Sequence, residues 1–196
     1  PHIARVLDFG EDDESGSLYY AISYCEGGGL DALAARHGGL DPAALAAAAI
    51  QLAGALEHAH ALGILHRDVK PANILLAGDG GRLDLRLIDF GLAAALGETG
   101  DGSFKGSPLF ASPEQIRGEP LRAQSDLYAL GMSLWWLALG HEPLDGDTRQ
   151  IIDRQLASDS FAPRLPAKLP QPLRETIAQL IEKDPAQRPQ SAAAVS

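Results

Sequence analysis

The sequence predicts an α+β fold with a short sheet at its start and a mainly helical body after it. Residues 5–10 and 18–24 are rich in strand-forming side chains, and the polar turn at residues 11–16 between them predicts an antiparallel hairpin. Further along, residues 42–62 and 125–139 form two long apolar stretches that have the composition of buried helices.

The ends of the long helices carry recognisable boundary residues. Asp41 followed by Pro42 is typical of a helix N-cap with proline at the first helical position, and Gly63 predicts the end of that helix. Gly140 likewise closes the second one. Glycines 27–29 predict a hinge between the hairpin and the helical body. Shorter segments predict further helices at 30–35, 151–156 and 172–183 and strands at 74–76 and 83–88.

Composition and charge narrow the class of protein. The 196 residues are long enough for one sizeable core, and 45% hydrophobic with 21% charged residues is ordinary for a soluble globular domain. A net charge of −10 argues against binding to nucleic acid, whose partners usually present a basic face. His58 and His60 are two positions apart and do not share a helix face as metal ligands would, so ordinary packing or capping is expected.

Cysteine usage and hydropathy predict a cytoplasmic location. Cys25 is the only cysteine, so an intrachain disulfide is impossible and a reducing compartment is the simplest one. The longest apolar stretch contains Gly131 and Ser133 and is shorter than the ~20 residues that cross a bilayer. The chain begins at Pro1 with no apolar signal segment, which indicates an excerpt from a longer protein.

One stretch carries the chemistry of phosphate transfer. Residues 66–73 read His-Arg-Asp-Val-Lys-Pro-Ala-Asn, and Asp89 begins an Asp-Phe-Gly triplet. Phosphoryl transfer needs a group that orients the attacking hydroxyl, a cation for the moving phosphate, and oxygen ligands for magnesium. Asp68, Lys70 and Asn73 supply these three kinds of group within six positions.

The motifs together resemble the eukaryotic-type serine/threonine protein kinases, including those of bacteria. Three further segments stand in the order found in that family, which makes the match far more specific than any single motif. They are Ser-Pro-Glu at 112–114, Ser-Asp-Leu-Tyr-Ala-Leu-Gly at 125–131 and Asp-Pro-Ala-Gln-Arg-Pro at 184–189. The resemblance implies a kinase-like fold that is mainly the helical C-terminal lobe.

The resemblance also implies a division of the chain. Residues 1–26 correspond to the last strands of the N-terminal lobe and the hinge, and residues 27–196 to the C-terminal lobe. Within the second part, the catalytic loop would be 66–73 and the activation segment 89–114.

Position by position, the resemblance gives roles in the transfer of the ATP γ-phosphate. Asp68 would orient the substrate hydroxyl, Lys70 would contact the γ-phosphate, and Asn73 with Asp89 would hold Mg²⁺. Aspartate and asparagine offer the hard oxygen ligands that magnesium prefers, and lysine is a compact cation.

The adenine of ATP can be placed by the same comparison. Ile22 would be the gatekeeper beside the base, and Leu75 would lie beneath it. The carbonyl of Ser23 and the backbone of Cys25 would hydrogen-bond the base.

Lys70 also indicates the substrate class. Kinases acting on protein serine and threonine resemble this Asp-x-Lys-Pro-x-x-Asn form, whereas tyrosine kinases usually have an alanine-arginine variant. Ser107 matches a hydroxyl that commonly bridges the positions of Asp68 and Lys70 in that class. The expected partners are therefore ATP and proteins that present Ser or Thr.

Other matched positions are structural. Glu114 and Arg188 resemble the buried ion pair that fixes the end of the activation segment to the helical lobe. Asp126 resembles the carboxylate that holds the backbone of the catalytic loop, in which His66 also has a structural place.

Arg67 beside Asp68 resembles the kinases that are regulated by phosphorylation of the activation segment, because a phosphate there can pair with the arginine. Ser103 stands where that phosphorylated residue is often found, and Thr99 is a second candidate.

Two alternatives stay open from sequence. The family's glycine-rich loop, strand lysine and helix glutamate are not found in this chain, so the isolated segment is expected to be weak or inactive, and a non-catalytic pseudokinase or scaffold is the main alternative. A small-molecule kinase of related fold is the other, although such enzymes generally lack the equivalent of Lys70. Bacterial family members often carry further domains or a membrane anchor, and these residues do not decide either.

Overall fold

The computed structural model describes residues 1–78, 83–90 and 106–195. It shows the predicted α+β fold, in which two small sheets lie beside a larger helical body. Within these residues, every helix is too short or too polar to span a bilayer.

The first sheet is the predicted hairpin. Strands β1 (Val6–Glu11) and β2 (Leu18–Ile22) pair antiparallel, with Phe9 opposite Tyr20. The turn between them is closed by the Asp12 carboxylate, which accepts a 2.8 Å hydrogen bond from the backbone N–H of Ser15. The second strand ends two residues earlier than predicted, and the chain turns at residues 26–27, where the N–H of Gly28 bonds the carbonyl of Cys25.

The second sheet corrects the predicted hinge. It comprises β3 (Gly28–Gly29), β4 (Ile74–Leu76) and β5 (Leu85–Leu87) in that order, all antiparallel. Two of the three glycines are thus strand residues paired with β4. A Cβ on the third, Gly27, would lie 2.5 Å from the Cβ of Leu76, so close backbone approach explains glycine there.

Residues at the start of the chain join the two sheets. Ile3 forms a parallel bridge with Leu87, and the N–H of Ala4 donates to the carbonyl of Leu87 at 3.0 Å. The hairpin is therefore attached to the outer edge of β5, just before Asp89.

Six α-helices lie within the described residues. The capping residues predicted from the sequence stand at ends of the two long helices. Asp41 accepts hydrogen bonds from Ala43 and Ala44 N–H at 2.9 Å each, and Gly140 ends its helix in the left-handed region with φ 74°. The helices are α1 (Leu30–His37), α2 (Pro42–Ala61), α3 (Pro113–Ile116), α4 (Ala123–Leu139), α5 (Thr148–Leu156) and α6 (Gln171–Leu180).

Helix α4 is the centre of the core and is buried around nearly its whole circumference. It packs against α1, α2 and α6, and its Trp135 is almost completely buried. At Gly131 the end of α6 comes so close that a Cβ would lie 2.7 Å from side-chain atoms of both Leu180 and Ile181. The position of α4 is therefore fixed tightly from several sides.

Gly131→Ala should destabilise the protein by about 1–3 kcal/mol, because the added methyl group overpacks this contact. Gly54→Ala is the matched control, since Gly54 is an exposed helical glycine whose added Cβ would meet nothing within 4 Å. It should be neutral or stabilising by up to ~1 kcal/mol. Urea unfolding of both variants measures the difference, and equal free energies of unfolding would contradict the packing described here.

Candidate active site

The predicted catalytic loop is held by hydrogen bonds to a carboxylate of the central helix α4. Asp126, only 1% exposed, accepts hydrogen bonds from the backbone N–H groups of His66 through Oδ2 and Arg67 through Oδ1, each at 2.8 Å. Arg67 has a φ of 69°, a left-handed conformation that costs energy in a residue with a side chain. The two charge-assisted bonds offset that cost and fix the start of the loop.

A third donor on Asp126 is His60, in the last turn of α2. Its Nε2 lies 2.8 Å from Oδ2 of Asp126. Nδ1 of His60 is buried without a partner among the described residues, which assigns the proton to Nε2. This contact goes beyond the packing or capping that the sequence predicts for His60, and the one local signal for it is the place of His60 at the end of the helix that leads into the loop.

His66 links the catalytic loop to the strand that precedes Asp89. Its Nε2 lies 2.8 Å from the carbonyl oxygen of Ile88, and its Nδ1 accepts from the N–H of Asp68 at 3.3 Å. Its ring also packs against Phe90 with 4.5 Å between centroids. Burial lowers the pKa of His66, against the opposing effect of Asp126, so the ring is a neutral structural group.

The three predicted catalytic side chains meet in space. Nζ of Lys70 lies 2.6 Å from Oδ2 of Asp68. Nδ2 of Asn73 donates to the carbonyl oxygen of Asp68 at 2.9 Å and to its Oδ2 at 3.1 Å. The Asp68 side chain is still 43% exposed, so its carboxylate is oriented by two donors and accessible to a substrate hydroxyl.

The expected Ser107 bridge is not made in the structure. Ser107 is half-buried, and among the described residues no hydrogen bond joins it to Asp68 or Lys70. Lys70 contacts Asp68 directly instead, so the loop is ordered without the serine.

Asp89 stands next to this group at the end of β5. It has a φ of 64°, and its Oδ1 accepts a hydrogen bond from the hydroxyl of Tyr20 on β2. The backbone N–H of Ile88 donates to the carbonyl oxygen of Asn73 at 3.0 Å, which holds the two segments side by side. Burial raises the pKa of Asp89, because it disfavours the charged carboxylate.

Asn73 and Asp89 are the residues that could hold a metal ion. Both amide hydrogen bonds of Asn73 use its nitrogen, and no hydrogen bond within the described part of the chain uses its Oδ1. A carboxylate and an amide oxygen are hard donors that suit Mg²⁺, and a bound cation would reverse the pKa shift of Asp89.

The residues predicted to surround adenine are only partly brought together. Ile22 lines a cleft of about 760 Å³ between the hairpin and the helical body, which also contains Asp89 and Phe90. Ser23, Cys25 and Leu75 do not line that cleft. They lie on the neighbouring segments, with Leu75 half-buried at the centre of the second sheet.

The backbone at Ser23 and Cys25 has free hydrogen-bonding groups. The N–H of Ser23 donates to the carbonyl oxygen of Arg5, and the carbonyl of Cys25 accepts from Gly28. Within the described residues, the carbonyl of Ser23 has only the Cys25 thiol at 3.8 Å, and the N–H of Cys25 has no backbone partner. One acceptor and one donor are thus left for a ligand.

The end of the predicted activation segment is fixed by a buried ion pair. Arg188, 2% exposed, donates to both carboxylate oxygens of Glu114 at 2.6 and 3.0 Å, and the Ser125 hydroxyl adds a third bond at 2.8 Å. Burial alone would raise the pKa of Glu114, but the hydrogen bonds and charge of Arg188 outweigh it and hold that pKa below its usual value. Glu114 is therefore ionised in the folded protein.

A neighbouring side chain ties the same helix to the catalytic loop. Nε2 of Gln115 donates to the carbonyl oxygen of Arg67 at 2.9 Å, a contact that sequence reasoning did not identify. Most of the activation segment, including the candidate phosphorylation sites Ser103 and Thr99, lies outside the described residues.

Comparison with known proteins decides the family. The model of the Protein kinase domain matches residues 1–196, the whole chain. The chain belongs to the protein kinase family. Its position there is bacterial in character, since it is 35% identical to the serine/threonine-protein kinase PkaA of Streptomyces coelicolor over 96% of this chain and 35% of that protein.

Other kinase relatives give the same result. The identity is 37% to serine/threonine-protein kinase PknK of Mycobacterium tuberculosis, over 100% of this chain and 18% of PknK. It is 35% to PrkC of Bacillus subtilis, over 98% of this chain and 30% of PrkC. This kinase chain therefore spans about a third or less of the curated relatives named here.

Solved structures show the kinase fold directly. Rad53 residues 1–466 in complex with AMP-PNP aligns with a TM-score of 0.81 at 30% identity, over all of this chain and 49% of that one. The kinase domain of Mycobacterium tuberculosis PknI aligns with a TM-score of 0.69 at 28% identity, over all of this chain and 69% of that one. The predicted kinase-like fold is confirmed.

Removing one partner of the buried ion pair should destabilise this kinase chain strongly. In Arg188→Ala the Glu114 carboxylate stays buried without its partner, and we expect a loss of about 3–5 kcal/mol in the free energy of unfolding. Thermal and urea unfolding measure the change. Arg36→Ala is the control, because Arg36 is an exposed arginine in the last turn of α1 whose loss should cost less than ~1 kcal/mol. Equal melting curves for the two variants would refute the assignment.

Proposed function

We propose that the full-length protein containing this chain transfers the γ-phosphate of ATP to serine and threonine hydroxyls of protein substrates. The observation that carries the proposal is the geometry of Asp68, which is oriented by Lys70 and Asn73 and still exposed. Phosphoryl transfer depends mainly on positioning and on screening of developing charge, and these three side chains can do both.

Each of the three residues has a role suited to its contacts. Asp68 accepts a hydrogen bond from the attacking hydroxyl and aligns it with the phosphorus. Lys70, 2.6 Å from Asp68, is close enough to the same point to stabilise negative charge on the transferring phosphate. Asn73 holds the backbone and carboxylate of Asp68 through one nitrogen, so that removing it would release the loop and the carboxylate together.

Magnesium and ATP are the cofactors that fit. Mg²⁺, when bound, would neutralise charge between the phosphates, and Oδ1 of Asn73 with the carboxylate of Asp89 would be its protein ligands. The carbonyl of Ser23 and the N–H of Cys25 would bond the adenine, with Ile22 beside the base and Leu75 beneath it.

The substrate class and the regulation follow from the same loop. Lys70 and the serine/threonine kinases named among the relatives support transfer to protein Ser or Thr rather than to tyrosine. Arg67 supports regulation by phosphate on Ser103 or Thr99, through a charge-assisted pair.

The division of the chain and its location belong to the same proposal. The division into a small-lobe part at 1–26 and a large-lobe part at 27–196 is supported by the strand order, since β1 and β2 pair within the first part and β3, β4 and β5 pair within the second. A cytoplasmic location of the catalytic part is supported by the single cysteine.

Asp68→Asn in the full-length protein should lower kcat for transfer of the ATP γ-phosphate to a generic Ser/Thr protein substrate by roughly 10²–10⁴-fold. Asparagine keeps the shape but is a poor acceptor for the hydroxyl proton. Transfer of radiolabelled phosphate measures the rate.

Asp13→Asn, in the exposed turn of the hairpin, is the matched control and should transfer at the wild-type rate. Equal transfer by Asp68→Asn and wild type would refute the role of Asp68. Absence of transfer by wild type with magnesium and ATP would refute the proposed activity.

A further inference from the structure

A buried amide lies beneath the end of the activation segment, away from the residues that the kinase motifs identify. Gln155, in α5, is 0% exposed. Its Nε2 donates to two consecutive carbonyl oxygens, those of Pro108 at 3.2 Å and Leu109 at 2.7 Å. Burying an amide is costly unless its hydrogen bonds are made, so this contact specifies the local backbone rather than merely filling space.

The orientation of the amide is fixed from its other end. Oε1 of Gln155 accepts from the hydroxyl of Tyr128 and lies 3.5 Å from Nζ of Lys183. Nζ of Lys183 also donates to the backbone carbonyls of Gln155 at 2.9 Å and Arg154 at 3.1 Å. Because two donors, the Tyr128 hydroxyl and the Lys183 amino group, face the oxygen, the nitrogen of Gln155 must face the carbonyls.

The backbone segment that Gln155 bonds is connected to the catalytic loop through helix α3. The N–H of Phe110 bonds the carbonyl oxygen of Ser107 at 3.1 Å, which closes a turn at residues 107–110. Helix α3 follows three residues later, and its Gln115 is bonded to the carbonyl of Arg67. The 107–110 turn is therefore anchored by Gln155 at its two central residues and connected through α3 to the residue beside Asp68.

We infer that Gln155 is a positioning residue that sets the path of the 107–110 turn and thereby the surface against which a protein substrate lies. This inference rests on the proposed kinase function. A protein that presents a hydroxyl to Asp68 must pass close to the segment that is tied to the catalytic loop, and Ser107, Pro108 and Phe110 are only partly buried there. ATP makes no use of this turn in the proposed site.

Two substitutions separate positioning of the turn from a merely structural role. Gln155→Met keeps the length of the side chain and removes all its hydrogen bonds. Gln155→Glu keeps the acceptors for Tyr128 and Lys183 and loses the donor for the carbonyls of Pro108 and Leu109. The new carboxyl group would lie beside the amino group of Lys183. Burial and the charges of Arg188, Arg117 and Arg164 lower the pKa of Lys183 to about 7, whereas the charge of Asp159 raises it.

The experiment measures kcat and KM of the full-length protein for a generic Ser/Thr protein substrate and, separately, KM for ATP. Both Gln155 variants should lose roughly 10- to 100-fold in kcat/KM for the protein substrate, as expected for a small misplacement near the reacting groups. The KM for ATP should stay within about twofold, because the ATP contacts are elsewhere. Arg149→Gln, exposed in the first turn of the same helix, is the control and should match wild type.

Wild-type kinetics in Gln155→Met would overturn the inference, since that variant has no donor to the turn and adds no charge. Hydrogen exchange of residues 106–112 gives a second measurement that does not depend on activity. The amides there should exchange at least several-fold faster in Gln155→Glu than in wild type, and unchanged exchange would also overturn the inference. Failure of the proposed function appears differently, as no transfer by wild type above the Asp68→Asn background.

Discussion

The active site depends on the carboxylate of Asp126. One buried side chain accepts hydrogen bonds from His66, Arg67 and His60, and so joins the catalytic loop and the end of α2 to α4, the helix at the centre of the described core. A buried carboxylate is stable only when its oxygens are satisfied, and these three donors satisfy it. The strained backbone of Arg67 persists because its hydrogen bond to Asp126 offsets the cost of the left-handed conformation.

The remaining parts of the site are ordered outward from that anchor. His66 bonds the carbonyl oxygen of Ile88 and so fixes the segment before Asp89. Asn73 donates to the carbonyl oxygen of Asp68 and so fixes the catalytic residue. Gln115 of α3 donates to the carbonyl oxygen of Arg67, and Glu114 of the same helix is fixed by Arg188. Because each link is a hydrogen bond or ion pair between elements packed on one core, the geometry of Asp68 reflects the packing of the whole helical body.

Much of this organisation could be predicted from local sequence. Caps such as Asp41 and Gly140 mark helix ends through nearest-neighbour chemistry, and Asp68, Lys70 and Asn73 lie close together because they stand in one short segment. The strand pairing of the glycines before α1 is not predictable in this way, because their partner β4 lies more than 40 positions away. The contact of Gln155 with the activation segment spans 46 positions to Leu109 and leaves no local pattern, so only the tertiary structure shows it.

The dependence of the site on Asp126 is tested most directly by the phosphoryl-transfer rate of the full-length Asp126→Asn protein at saturating ATP and protein substrate. Asparagine would point an N–H₂ group at one of the donors on the loop. We therefore expect kcat to fall by roughly 10- to 100-fold through misplacement of Asp68, although Asp126 itself does not reach the substrate. A variant that has the wild-type melting temperature and transfers phosphate at the wild-type rate would show that Asp126 does not position the catalytic loop.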